Sequence, residues 1–363
     1  MNEPVKILMI CTVDYNRNGI TTCILNWSKD LIHARYEVEI LAANGILGTL
    51  KKETEDQGCR VISLARRNRN LLCYFFQLMK LIKKNRYSIV HVHGNSCTMG
   101  IELVAARLAG CPIRIAHSHN TECSHRKAHI IMRTLFEWGC NSRLACGEEA
   151  GQWLFGGKKF DIIKNGINAE CYQYNAGVRK CVRNSLEIDA DEIVLGHVGI
   201  FNEQKNHSFL IEIFNECLKI KKNIRLMLIG EGEQKDNIYE KAVQLGIENK
   251  IVFIGVTNKV EQYLSAMDHF VFPSLYEGFG IALLEAQCSG LSCTISSEMT
   301  QDAVILNTTK SISLTKSATE WAEVILDERN LKKREEAAAI VKKAGYDISE
   351  NRLSFYYEKL LKR

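Results

Sequence analysis

The 363-residue chain is predicted to be an α/β protein made of two parallel-sheet domains. Three observations carry this prediction. Short apolar runs without polar alternation recur along the chain, as in strands buried on both faces. Longer helical patterns separate them, which implies right-handed βαβ units. The pattern starts twice, and the length exceeds what one ordinary core fills, so two domains of about 150–180 residues each follow.

In the first half the expected strands are Ile7–Val13, Val38–Ala42, Ile89–His93, Ile113–His117 and Asp161–Ile163. Helices are expected over Ile20–His33, Leu71–Lys84, Cys97–Ala109 and Thr121–Cys140. The second half repeats the scheme with strands Ile193–Val198, Arg225–Ile229, Ile251–Ile254, His269–Phe272 and Cys293–Ser296. Helices there include His207–Ile220 and Ile281–Ser289. The polar break at Asn165-Gly166-Ile167-Asn168 marks the junction, giving domains 1–168 and 169–347. The terminal helix Ile348–Leu361, within 348–363, is expected to pack back on the first domain. Two Rossmann-like domains would face each other across a cleft, with chemistry in the loops beyond the carboxyl ends of the strands.

Composition narrows the function. Apolar residues make up 46% and charged residues 25%, as in a folded globular protein. A net charge of +5 is too mild for a dedicated nucleic-acid binder, but suits phosphorylated small molecules or anionic lipid surfaces. The 14 cysteines include no Cys-x-x-Cys, so they read as small buried hydrophobes in a reducing cytosol rather than as metal ligands or disulfides. The apolar run Ile7–Val13 is too short for a secretory signal, and no stretch reaches membrane-span length. A cytoplasmic protein is expected.

The stretch Phe272-Pro-Ser-Leu-Tyr-Glu277-Gly-Phe-Gly280-Ile-Ala-Leu-Leu-Glu285-Ala concentrates the chemistry. A strand ends, a loop with Gly278 and Gly280 follows, and a helix opens. Glycines let backbone approach a ligand closely, and free amides at a helix N-terminus attract a diphosphate. Glu285 can accept hydrogen bonds from a vicinal diol such as ribose, while Glu277 stands at the loop. The alternative is a plain helix N-terminus whose acidic residues favour its dipole.

With these residues in view, the chain resembles the family 4 glycosyltransferases of the bacterial exopolysaccharide and capsule type, whose fold is GT-B. The resemblance spans nearly the whole chain. It includes His197-Val-Gly-Ile-Phe-Asn-Glu-Gln-Lys205-Asn-His, Leu228-Ile-Gly-Glu-Gly232, Phe253-Ile-Gly255, Asn18-Gly19-Ile20, His91-Val-His-Gly94, His117-Ser-His119-Asn120 and Asn165-Gly166-Ile167. It implies a retaining transfer of sugar from a nucleotide-sugar donor, UDP-linked, to a saccharide or lipid-linked saccharide acceptor. By resemblance Glu285 would hold the donor ribose and Glu277 the donor sugar. The amides of Phe279, Gly280 and Ile281 would bind sugar hydroxyls and phosphate. Lys205 would neutralise the departing diphosphate without a metal, and Gly19 would close over it from the first domain. His119 is the histidine assigned to the transferred sugar, with His117 its competitor and a satisfied strand-end histidine the alternative; His93 reads chiefly as structural, with a place in the cleft as its alternative.

Three departures stand out. Ile200 occupies the place of an arginine that usually forms a clamp with the lysine, Gly290-Leu-Ser292 stands for Gly-x-Pro, and Asn18 replaces a glycine. The first keeps alive a catalytically impaired partner in polysaccharide assembly, and a GT-B sugar-nucleotide epimerase is the other alternative. Finally, Arg66, Arg67, Arg69, Lys80, Lys83, Lys84 and Arg86 surround an apolar helix containing Tyr74, Phe75 and Phe76. Segment 66–86 is therefore a candidate peripheral contact with the inner face of the cell membrane. The competing reading is an ordinary amphipathic helix with Leu71, Leu72, Phe75, Leu78, Met79 and Ile82 at core spacing.

Overall fold

The structure, a computed structural model, describes residues 4–16, 18–123, 125–277, 279–327, 334–348 and 352–362. Gly278 lies outside the described residues. The chain divides into two compact units, one of residues 1–166 with 348–363 and one of residues 167–347.

The first unit carries strands β1 (Lys6–Cys11), β2 (Glu37–Ala42), β3 (Arg60–Ser63), β4 (Ile89–Gly94), β5 (Ile113–Ser118), β6 (Ser142–Ala145) and β7 (Asp161–Ile162). They form one sheet in the order β3-β2-β1-β4-β5-β6-β7, with parallel pairing. The second unit carries β8 (Ile193–Val198), β9 (Ile224–Ile229), β10 (Ile251–Gly255), β11 (His269–Phe272), β12 (Ser292–Ser296) and β13 (Thr309–Ile312). Their order is β10-β9-β8-β11-β12-β13, again parallel. Both sheets begin in the middle, run outward, and then reverse. The reversal falls between β1 and β4 in one unit and between β8 and β11 in the other. These are the topological switch points at which open α/β sheets bind ligands.

The central strands are continuous apolar runs because helices cover both faces. In the first unit Leu8, Ile10, Val90 and Val92 pack with Tyr74, Leu78 and Ile82 of the helix Leu71–Asn85. In the second, Leu195, Leu226 and Leu228 pack with Ile211 and Phe214 of the helix His207–Ile220 and with Trp321. Each such side chain contributes roughly 1.5–3 kcal/mol. The terminal helix Arg352–Leu361 belongs to the first unit, where the buried Tyr357 hydroxyl meets His91 Nδ1 at 2.6 Å. The cysteines form no disulfide among the described residues, and eleven are buried, but Cys171 and Cys181 are exposed.

Three strands escape the sequence reading. β3, β6 and β13 read Arg-Val-Ile-Ser, Ser-Arg-Leu-Ala and Thr-Lys-Ser-Ile, too short and polar to stand out as apolar runs. β3 and β13 are edge strands, where one side meets solvent. The helix expected over Thr121–Cys140 begins only at Arg126 and is split into Arg126–Ile131 and Arg133–Gly139. Near the break Arg133 donates to Leu154 O at 2.7 Å, tying this stretch to the following helix. In the segment 66–86 the core stripe is Tyr74, Leu78 and Ile82, whereas Leu71 and Leu72 are exposed rather than packed. Arg67 is committed inward, to the buried Glu102 at 2.6 Å and Thr98 O at 2.8 Å.

Candidate active site

The loops after β8 and β11 emerge side by side at the second unit's switch point, and they are stitched together. Leu275 N–H donates to Gln204 O at 2.8 Å, and Gln204 Nε2 donates to Tyr276 O at 2.9 Å. Asn206 Nδ2 donates to Pro273 O at 3.2 Å, from a left-handed backbone with φ 54°. Asn202 Oδ1 accepts the Lys205 N–H at 3.1 Å. This stitching brings together two residues 72 positions apart: Lys205 Nζ donates to Glu277 Oε1, with side chains only 15% and 9% exposed. The ammonium also lies 4.6 Å from the centre of the Phe272 ring. A largely buried ion pair of this kind presents one cation and one carboxylate at the strand ends.

Two glycines make the close approach of backbone feasible. Gly230, with φ 143°, lies so close that a Cβ there would fall 2.0 Å from Gly199 O. Gly280 takes φ 75° at the mouth of the helix Ile281–Cys288, and a Cβ there would meet Met299 Cε at 2.7 Å. Phe279 is buried and stacks on Tyr346 with ring centres 5.2 Å apart. The amides of Phe279, Gly280 and Ile281 therefore open the helix, where N–H groups lack intrahelical acceptors. Glu285 is buried one turn in and accepts from the Tyr172 hydroxyl at 2.8 Å. Burial pushes its carboxyl up to about 7; the Tyr172 hydrogen bond opposes this and the Glu261 charge adds to it.

Sequence reasoning missed the floor of this site. His197 and His207 are fully buried beside Lys205, ring centres 4.6 Å apart, and His207 stacks on Phe201 at 4.1 Å. Burial holds His197 near 3 and His207 near 2, so both stay neutral next to the lysine. His197 Nδ1 faces Val271 O at 2.8 Å, which fixes the proton on Nδ1. The signal was present in the text as His197 before the strand end and His207 after Lys205.

At the switch point of the first unit, Gly19 opens the helix Gly19–His33 and is exposed, with open space around it. Asn18, the departure from glycine, is the N-cap: its Oδ1 accepts from Thr21 N–H at 3.0 Å. His91, His93, His117 and His119 come from alternating positions at the ends of β4 and β5, hence from one face of the sheet. His91 Nε2 meets His117 Nδ1 at 3.1 Å and His93 Nδ1 meets His119 Nε2 at 3.0 Å. Trp27 of the helix Gly19–His33 covers them, 5.0 Å from His117. His91, His93 and His117 offer nitrogens within 4.8 Å of one another, close enough to be considered for a metal. No Asp, Glu or Cys joins that group among the described residues. In this arrangement His91 gives both ring nitrogens to hydrogen bonds, Nδ1 with the Tyr357 hydroxyl at 2.6 Å and Nε2 with His117 at 3.1 Å, so it has none left to ligate an ion. His117 and His93 are sealed within their unit, and His119 is nearly so; burial drops its imidazole to about 3. His119 therefore acts as a neutral hydrogen-bonding group rather than a cation.

Comparison with known proteins agrees with this geometry. Residues 178–346 match the family "Glycosyl transferases group 1", and residues 17–170 match "Glycosyltransferase Family 4". A Bacillus subtilis protein carrying the name glycosyltransferase EpsF is 30% identical over 97% of this chain and 95% of its own length. The chain belongs to the family 4 glycosyltransferases. An Escherichia coli UDP-Gal:α-D-GlcNAc-diphosphoundecaprenol α-1,3-galactosyltransferase is 27% identical over 69% of this glycosyltransferase and 67% of that protein. The capsular polysaccharide biosynthesis glycosyltransferase CapH of Staphylococcus aureus is 26% identical over 75% of this chain and 76% of its own. Among solved structures, Anabaena HepE in complex with UDP and glucose superposes with a TM-score of 0.79 at 17% identity, covering 98% of this chain and all of that one. The two Rossmann-like α/β domains of this glycosyltransferase are of the GT-B class.

Proposed function

We propose that this glycosyltransferase transfers a sugar, with retention at the anomeric carbon, from a UDP-linked donor to a saccharide or lipid-linked saccharide acceptor in cell-surface polysaccharide biosynthesis. The observation that carries the reading is the Lys205–Glu277 pair beside the helix that bears Glu285. Glu285 would accept the ribose diol. The amides of Phe279, Gly280 and Ile281 would receive phosphate and sugar hydroxyls. Lys205 would neutralise the diphosphate as it leaves, which requires no metal. Glu277 and His119 would orient the transferred sugar, and Gly19 would approach the diphosphate. UDP in the HepE complexes, and the lipid-diphosphate acceptor in the name of the E. coli relative, support the choice of donor and acceptor class.

In a front-face mechanism the departing phosphate accepts the acceptor's proton, so the enzyme's work is positioning and charge stabilisation. The test is turnover with UDP-sugars and a diphosphoundecaprenol-linked monosaccharide in the presence of a strong chelator. Product NMR is expected to show the donor's anomeric configuration retained and activity undiminished. An inverted centre overturns the retaining assignment, and a metal-restorable loss overturns metal independence.

For segment 66–86 we propose peripheral contact with the inner face of the cell membrane. Leu72 and Phe76 are 73% and 59% exposed, one turn apart on the helix Leu71–Asn85, with Arg66, Arg69, Lys80, Lys83, Lys84 and Arg86 exposed around them. Arg67 takes no part, being held by Glu102. Replacing Leu72 and Phe76 together by Ser is expected to abolish sedimentation with phosphatidylglycerol-containing vesicles at low salt. Unchanged sedimentation refutes the contact.

A further inference from the structure

Glu285 is 113 positions from the residue that holds it. The short segment that opens the second unit folds back along the helix Ile281–Cys288 and touches it at two points. Cys288 Sγ donates to Ala169 O at 3.3 Å, and the Tyr172 hydroxyl donates to Glu285 Oε1 at 2.8 Å. Glu285 and Cys288 stand three apart and so share one face of the helix. A turn shapes the segment: Asn168 Oδ1 accepts from Glu170 N–H at 3.2 Å and Asn168 O from Cys171 N–H at 3.1 Å. Tyr172 is thereby fixed over the carboxylate.

We propose that Tyr172 is a positioning residue for donor binding, its hydroxyl holding the Glu285 carboxylate in the orientation that receives the ribose diol. The proposal rests on the reading of Glu285 given above. A carboxylate has about four lone-pair sites. One is taken by the phenol, which pins the rotamer and leaves acceptor capacity for two ribose hydroxyls. A phenol can only donate to an ionised carboxylate, so the same bond favours the form that the diol needs. The groups facing Glu285 do not otherwise help. Glu261, on the helix Val260–Ala266, raises its pKa as burial does. Cys171 and Cys288 lie on the docked segment and on the same helix. Lys342, on the packed helix Ala337–Lys343, is engaged by Asp347 at 3.6 Å. Loss of the Tyr172 hydrogen bond therefore moves the Glu285 carboxyl above about 7.

The experiment measures affinity for UDP by calorimetry from pH 6 to pH 9 on the full chain, as wild type, Tyr172→Phe and Glu285→Ala. Tyr172→Phe keeps the ring and its packing. Its affinity is expected to fall most at the acidic end, roughly tenfold for each unit by which the carboxyl rises. It should approach wild type at pH 9, so the bend in the pH profile moves to higher pH. A uniform loss at every pH identifies a merely structural ring and overturns the proposal, as does a profile superimposable on wild type. Glu285→Ala separates the two levels. If it binds UDP as wild type does, the ribose reading itself fails. If it binds weakly while Tyr172→Phe is unchanged, only the role of Tyr172 fails.

Discussion

Lys205→Ala is expected to lower turnover roughly 100- to 1,000-fold, the range seen when one preorganised charge-stabilising donor is removed from an active site. Lys205 reaches the switch point from the β8 loop, and the stitching of that loop to the β11 loop fixes its backbone. Ile200 supplies no charge where the family usually has arginine. Under the proposed function the burden of the developing negative charge would therefore fall on Lys205. Its ammonium is paired with Glu277, so a diphosphate bound there would share or displace that partner. Removing the lysine also leaves a largely buried carboxylate uncompensated beside the phosphates, which repels the donor as well as failing to stabilise the leaving group.

Two companion variants sharpen the test. Glu277→Gln in the Lys205→Ala background should recover part of the donor affinity, because the repulsion is removed, while turnover stays low. Ile200→Arg in the wild type should tighten donor binding by restoring a second cation. Steady-state kinetics with donor varied at saturating acceptor separates the two quantities. A Lys205→Ala enzyme with kcat within a few-fold of wild type would remove the lysine from the mechanism.

How much of this was legible in the sequence depends on whether a feature is local. The stretch from Glu277 to Glu285 was readable because strand end, glycine loop and helix start are consecutive. Lys205 came from the family resemblance of the stretch His197–His207, and its pairing with Glu277, 72 positions on, is visible only in the fold. The switch-point placement followed from strand alternation, since a parallel sheet forces the loops to one edge. What could not be read depends on pairing between distant segments. Tyr172 lies in a segment that gives no sign it will dock on a helix 113 positions away. His91 and His93 were visible as an alternating pair, and so were His117 and His119. Only the register that sets His93 opposite His117 shows that the rings pair across the two strands, His91 with His117 and His93 with His119. Asn18 looked like a lost glycine, and its capping bond to Thr21 shows what replaced it. In the helix Leu71–Asn85 the heptad-like spacing of apolar residues fitted two stripes. Tyr74 settled the choice by entering the core, leaving Leu72 and Phe76 outside.

Glu285→Gln is expected to move stability and function in opposite directions, and the sign follows from burial. In the folded chain the Glu285 carboxyl is raised from 4.5 to about 7. The folded state thus holds this proton more tightly than the unfolded state does. Its contribution to stability is fully present below about pH 4.5, declines as pH rises, and is lost once pH passes about 7. The penalty above pH 7 is on the order of 3 kcal/mol in the absence of ligand. Glutamine has the same shape, still accepts from Tyr172, and carries no charge to desolvate. In denaturant unfolding without nucleotide, the transition of the second unit should therefore strengthen by about 2–3 kcal/mol at pH 8 and change little at pH 4.5. Donor affinity should fall by roughly 10- to 100-fold, because a hydrogen bond to a charged acceptor contributes about 1.5–3 kcal/mol and glutamine replaces that acceptor with a neutral one. A purely structural carboxylate would give the stability change without the binding loss. Loss of both stability and binding at pH 8 would mean that the ionised form is held by partners stronger than Tyr172, and the account of this site would have to be redrawn. Saturating nucleotide should narrow the stability gap at pH 8, since a 10- to 100-fold difference in affinity returns about 1.4–2.7 kcal/mol to the wild type.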